Sequence, residues 1–147
     1  MFSRARLLVA AALVVGGAAA CSDLTGFNGT ADGSYFLQTV NGNPLPYSFN
    51  ESGTTITVLS GTYALNSNRS YTALLTYRIT TGSQTSTGSQ SESGDWTQSG
   101  NSVTFTPTFS DVQDYTVYSA TIANSSTFGG SRTLRTSVNG LTAVYSD

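Results

Sequence analysis

Few residues in this 147-residue chain can do covalent or acid–base chemistry, and each gap removes a mechanism. With no histidine and no lysine, neither an imidazole triad nor a serine–lysine dyad can be assembled, and no imidazole can ligate a metal. The one thiol is Cys21. Of the eight carboxylates, the closest pairs in sequence are Asp111 with Asp114 and Glu92 with Asp95. Both pairs fall in or beside stretches that read as loops, where acids are ordinarily solvated. Two acids across a cleft are all that a glycosidase needs, so a carbohydrate-active or carbohydrate-binding reading would combine such loop carboxylates with Trp96. An oxygen-only calcium site at Asp111, Gln113 and Asp114 lacks the acid density and fixed glycine of a calcium loop. The expectation is a non-enzymatic protein with no cofactor and no metal.

What positions Cys21 is the segment before it. Residues 1–6 carry Arg4 and Arg6, residues 7–15 are an apolar run, and Gly16-Gly17-Ala18-Ala19-Ala20 is a small-residue exit. This is the three-part build of a secretory signal, with an apolar run too short to span a bilayer as a stable helix. A lone cysteine in an exported chain has no intramolecular partner, so a covalent modification accounts for it best. With Cys21 directly after Ala18-Ala19-Ala20, the segment resembles the signal and lipobox of bacterial lipoproteins, although Ala18 stands where that family usually has leucine. Ala18-x-Ala20 also satisfies the rule for plain secretion. The resemblance implies cleavage before Cys21, attachment of palmitate-type acyl chains there, and anchoring to the cell envelope, with inner or outer membrane left open. Each buried methylene would contribute about 0.8 kcal/mol to that anchor.

Removing residues 1–20 leaves 127, enough for one domain with a core of its own. Four arginines then face eight carboxylates, a net charge of about −4, which argues against nucleic acid as a partner. Thr, Ser, Gly, Asn and Tyr dominate, the vocabulary of strands and tight turns. Residues 21–32 read as a flexible tether and 33–147 as the domain.

Alternation of apolar and polar side chains predicts strands over 34–40, 54–65 and 71–79, the last being the clearest, with Tyr71, Ala73, Leu75, Tyr77 and Ile79 on one face. Residues 81–93, rich in Ser, Thr, Gly and Gln, read as an exposed flexible loop because they have nothing to bury. Residues 94–98 and 102–106 pair as a hairpin ended by Pro107; 115–123 form a further strand; 131–138 and 141–145 form a last hairpin around Asn139-Gly140. Eight or nine strands with no room for crossover helices give an antiparallel sheet, whose edges must be hidden by closure. The predicted fold class is all-β, a single antiparallel eight-stranded barrel.

Gly33-Ser34-Tyr35-Phe36-Leu37, Val40-Asn41-Gly42-Asn43-Pro44-Leu45-Pro46, Leu65-Asn66 before Ser70-Tyr71, and Gly94-Asp95-Trp96 together resemble small bacterial lipoproteins described as lipocalin-like. The likeness implies a lipocalin-like barrel and, for its interior, a small apolar ligand, with Tyr35, Tyr77, Trp96 and Phe105 as candidate lining residues. Aromatic residues at strand spacing also simply fill small barrels. The function expected is therefore a lipid-anchored, monomeric, non-catalytic envelope module that binds a ligand or contacts other envelope components. An inhibitor or adhesin reading would place the contact in residues 81–93.

Overall fold

The computed structural model describes residue 27 and residues 29–125, 130–138 and 140–147. The expected signal segment 1–20, Cys21 and the first part of the expected tether lie outside the described residues. Ten strands follow one another: β1 (Gly33–Val40), β2 (Asn43–Pro44), β3 (Tyr47–Glu51), β4 (Thr54–Leu65), β5 (Ser70–Thr81), β6 (Gln84–Ser99), β7 (Ser102–Ser110), β8 (Tyr118–Asn124), β9 (Arg132–Val138) and β10 (Leu141–Ser146).

From β4 to β10 each strand pairs antiparallel with the next, and β1 pairs with both β10 and β4. The sheet thereby closes into an eight-stranded antiparallel barrel, with the short β2 and β3 outside the closed wall. Closure removes most of the unpaired backbone that an open sheet of this length would expose. One end, called here the base, carries the start of β1 and the turns between β4 and β5 and between β6 and β7. The other end, the rim, carries the turns after β1, β5 and β9.

Alternation decides what faces inward. Tyr35, Leu37, Val58, Tyr63, Leu65, Tyr71, Leu75, Trp96, Val103, Phe105, Ile122 and Leu134 are all buried. Outward positions such as Thr72, Arg78, Thr106, Ser119, Thr121, Arg135 and Ser137 are exposed. An apolar interior under a hydroxyl-rich exterior is the reverse of a membrane-spanning barrel.

The structure corrects several readings of the sequence. Residues 81–93 are not a loop: the chain turns over Gly82-Ser83 alone, and Gln84–Ser99 is one sixteen-residue strand, paired with β5 from Gln84 to Asp95. Backbone ladder bonds hold it, and these need no apolar side chain. Pro107 does not end β7, which continues to Ser110; a register irregularity at Ser93/Gly94 lets the chain accommodate the missing N–H. β8 begins at Tyr118 rather than 115.

Phe27 and Ala31 are packed against the base rather than tethering freely. Phe27 is 7% exposed and Ala31 fully buried. The Phe27 N–H donates to Asn101 Oδ1 at 3.1 Å and the Ala31 N–H to Gln98 Oε1 at 2.8 Å. Arg132 Nη1 donates to the carbonyls of Thr30 and Asp32 at 2.9 and 2.8 Å, while its Nε meets Asp147 Oδ2 at 2.6 Å. One guanidinium thus ties the entering chain to the end of the domain.

Candidate functional site: a buried carboxyl among tyrosines

The four residues expected to line a cup are spread over the barrel's full height. Near the base, Tyr35 is fully buried, with its hydroxyl donating to the Ala31 carbonyl at 2.8 Å. Trp96 is 1% exposed, its Nε1 donating to the Asn66 carbonyl at 3.1 Å and its ring lying under the Arg69 guanidinium at 4.5 Å. Phe105, fully buried, occupies the middle, with ring centroids of Tyr71, Tyr118 and Tyr63 at 4.8, 5.0 and 5.2 Å. Tyr77, half-buried towards the rim, lies across Gly88, which has no side chain to obstruct the ring. Ring separations of this size are van der Waals packing, so these side chains contact one another. Nearer the rim, Val40, Val58, Leu75, Val138, Leu141 and Tyr145 surround a gap of about 20 Å³, close to the least volume that holds one water.

Among these rings sits a group that the sequence reading had placed in a solvated loop. Glu92 is 1% exposed, on the inner face of β6. Its Oε1 accepts from the hydroxyls of both Tyr71 and Tyr118, each at 2.6 Å. Tyr118 also shares a 3.0 Å hydrogen bond with the Tyr63 hydroxyl. Its other oxygen, Oε2, is buried without a hydrogen-bond partner, as is Ser110 Oγ on the directly opposite residue of β7.

Burial disfavours the charged carboxylate and raises the Glu92 pKa; the two tyrosine hydroxyls work against that rise, and Asp114 adds to it. The tyrosines respond to the same environment. Burial raises Tyr71, Tyr118 and Tyr63, and the nearby Glu92 charge pushes each the same way. The hydroxyls therefore remain donors throughout ordinary pH. Short O–H···O contacts to a single carboxyl oxygen are strong hydrogen bonds in a site removed from water. Chemically the cluster can hold a proton on a carboxyl and orient three hydroxyls.

The acids set aside for a carbohydrate site go elsewhere. Asp95 is exposed while Glu92 points inward, so that pair does not share a cleft. Asp111 accepts from the Ser91 hydroxyl at 2.6 Å and its N–H at 2.8 Å, bonds that lower its pKa. Asp114 accepts from the Thr116 hydroxyl and N–H at 2.6 and 2.9 Å. Asp111 thus ties the end of β7 to β6, and Asp114 braces its own stretch of chain. Among the described residues, no three His, Cys, Asp or Glu side chains form a group able to hold a metal ion.

Parity could have found Glu92, since Gln90, Glu92 and Trp96 share one inward alternation along β6. A second signal was a carboxyl in a chain with many tyrosines and no histidine. Comparison of this chain with protein-family models, curated proteins and solved structures finds no match.

Proposed function

We propose that this chain is an exported bacterial envelope protein, lipid-anchored at Cys21, whose barrel is a non-catalytic interaction module rather than a carrier of small apolar molecules. The observation that supports the module over the carrier is the ring cluster centred on Phe105. A carrier must leave room for its cargo between lining residues, whereas Tyr63, Tyr71 and Tyr118 pack directly on that ring. Glu92 within the same cluster acts as a polar fastening of the core. Its two tyrosines come from β5 and β8, on either side of the β6–β7 pair, so the carboxyl joins strands that are not paired with each other.

The anchor half of the proposal rests on the residues before and at Cys21. Its test is the intact mass of the protein recovered from membranes of cells expressing wild type and Cys21→Ser. A chain beginning at residue 21 and carrying a glyceryl group with three acyl chains, absent from the variant, is the expected result. An unmodified chain in the soluble exported fraction would withdraw the anchor. For the module half, titration with a fluorescent fatty acid should leave the probe unbound; saturable binding would restore the carrier.

A further inference from the structure

The barrel wall is not of even height. β4, β5 and β6 rise past the rim, and the upper half of β6 has a neighbour on one side only. β6 pairs with β5 from Gln84 to Asp95 without a break in register, but with β7 only from Glu92 onward. The direction of the exposed backbone is fixed by Ser91. Its N–H donates to Asp111 Oδ2 at 2.8 Å and its carbonyl accepts from the Asp111 N–H at 3.1 Å, so both groups point away from β5. Strand parity then turns the N–H and carbonyl groups of Thr85, Thr87 and Ser89 the same way. Beyond them the described residues offer nothing to pair with.

Natural sheets blunt such an edge with charges, prolines, bulges or shortness. β3, on the far side of the same extension, shows this: it has five residues, carries Glu51, and follows Pro44 and Pro46. β6 shows none of these devices between Gln84 and Ser91, where the sequence is Gln-Thr-Ser-Thr-Gly-Ser-Gln-Ser. It has no bulge against β5, is uncharged and is rich in Thr and Ser.

We infer that the open edge of β6, residues 84–90, is a self-pairing surface that joins two copies of this chain through antiparallel β6–β6 addition. Self-complementarity selects the second copy as occupant. Placing a two-fold axis at Thr87 sets Thr87 against its own equivalent and Thr85 against Ser89 of the other copy. That register alone uses every outward group of all three residues. No like charges meet, because the edge carries none. Arg78, on the next strand in, lies three strand spacings from its equivalent, about 14 Å, where salt screens it. Ser91, already closed by Asp111, falls opposite Ser83 of the other copy, so each barrel lies beyond the tip of its partner and the two do not collide. The joint sheet runs through eight strands. This departs from the monomer expected from sequence, and it makes residues 81–93 the contact region by their backbone rather than as a loop.

The test uses residues 22–147, which contain every described residue and carry no lipid. Light scattering over a concentration series should show the mass rise from one chain to two. Amide exchange should show Thr85, Thr87 and Ser89 becoming protected as it does. Thr87→Pro removes an outward N–H without touching the β5 ladder, and should weaken the dimer about tenfold or more. Thr87→Glu provides a second test: beside Arg78 within one chain it is favourable, but across the axis it opposes its own equivalent, so it should also give single chains. A one-chain mass throughout the wild-type series would overturn the inference, as would a dimer that both variants leave unchanged.

Discussion

At the scale of single residues, Glu92 is the group whose surroundings most change its chemistry. Its raised pKa means that the folded protein holds the proton more tightly than the unfolded chain does. The sign follows. Below the unfolded value, about 4.5, the group is protonated in both states and imposes no penalty. As pH rises beyond it, the unfolded chain ionises first, and the folded state loses relative stability at about 1.4 kcal/mol per pH unit until Glu92 itself ionises. Glu92→Gln keeps an oxygen for Tyr71 and Tyr118 to donate to but does not titrate. Urea unfolding of both proteins from pH 4 to pH 7 should show the stability difference moving in favour of the variant as pH rises; a difference independent of pH would show that Glu92 titrates alike in both states. In the sequence only its shared parity with Trp96 set this acid apart from the other seven. Its neighbours Ser91 and Ser93 are polar, and what buries it comes from Tyr71 and Tyr118, twenty or more positions away.

At the scale of elements, legibility followed the side chains. β4 was read over its full length, and β1 and β5 to within two residues at either end, because apolar and polar residues alternate along them. β6 was missed because it contributes few apolar side chains, and its upper half is exposed on both faces. Its stability comes from backbone pairing with β5, which leaves no trace in hydropathy. The place where the β6–β7 register shifts, with Thr108 the extra residue on β7, is equally backbone-determined. A Cβ added at Gly94 would lie 2.1 Å from the Thr106 carbonyl oxygen and 2.9 Å from Pro107 Cα, so the two strands can approach there only around glycine. Gly94→Ala should therefore cost about 3 kcal/mol in a urea or thermal unfolding experiment. Gly88→Ala, in the same strand, meets only the Tyr77 ring at 3.1–3.3 Å, a half-buried side chain that can swing aside, and should cost less than about 1 kcal/mol. Equal costs would place the close approach elsewhere than at the Gly94 irregularity.

At the scale of the whole molecule, antiparallel closure was legible from strand count and short connections, but the orientation of the barrel was not. It depends on contacts across the chain: Phe27 on Asn101, Ala31 on Gln98, and Arg132 on Thr30, Asp32 and Asp147. These bring the chain into the barrel at its base, so the six residues from 21 to 26 allow Cys21 at most about 20 Å from it. The open β6 edge is at the other end. A two-fold axis through that edge inverts one barrel relative to the other and sets the two bases, and with them the proposed anchors at Cys21, at opposite ends of the joint sheet. If Cys21 carries the proposed anchor, two copies paired in this way can join membranes that face each other. Residues 21–147 without lipid, coupled through the lone Cys21 thiol to vesicles bearing a maleimide lipid, should therefore cluster those vesicles and raise their turbidity. Vesicles coupled to the Thr87→Pro chain should stay dispersed, and added free wild-type chain should compete the clusters apart. Dispersed wild-type vesicles alongside a free chain that does dimerise would mean that the base does not face the anchor. Clusters that survive Thr87→Pro would place the contact on a surface other than β6.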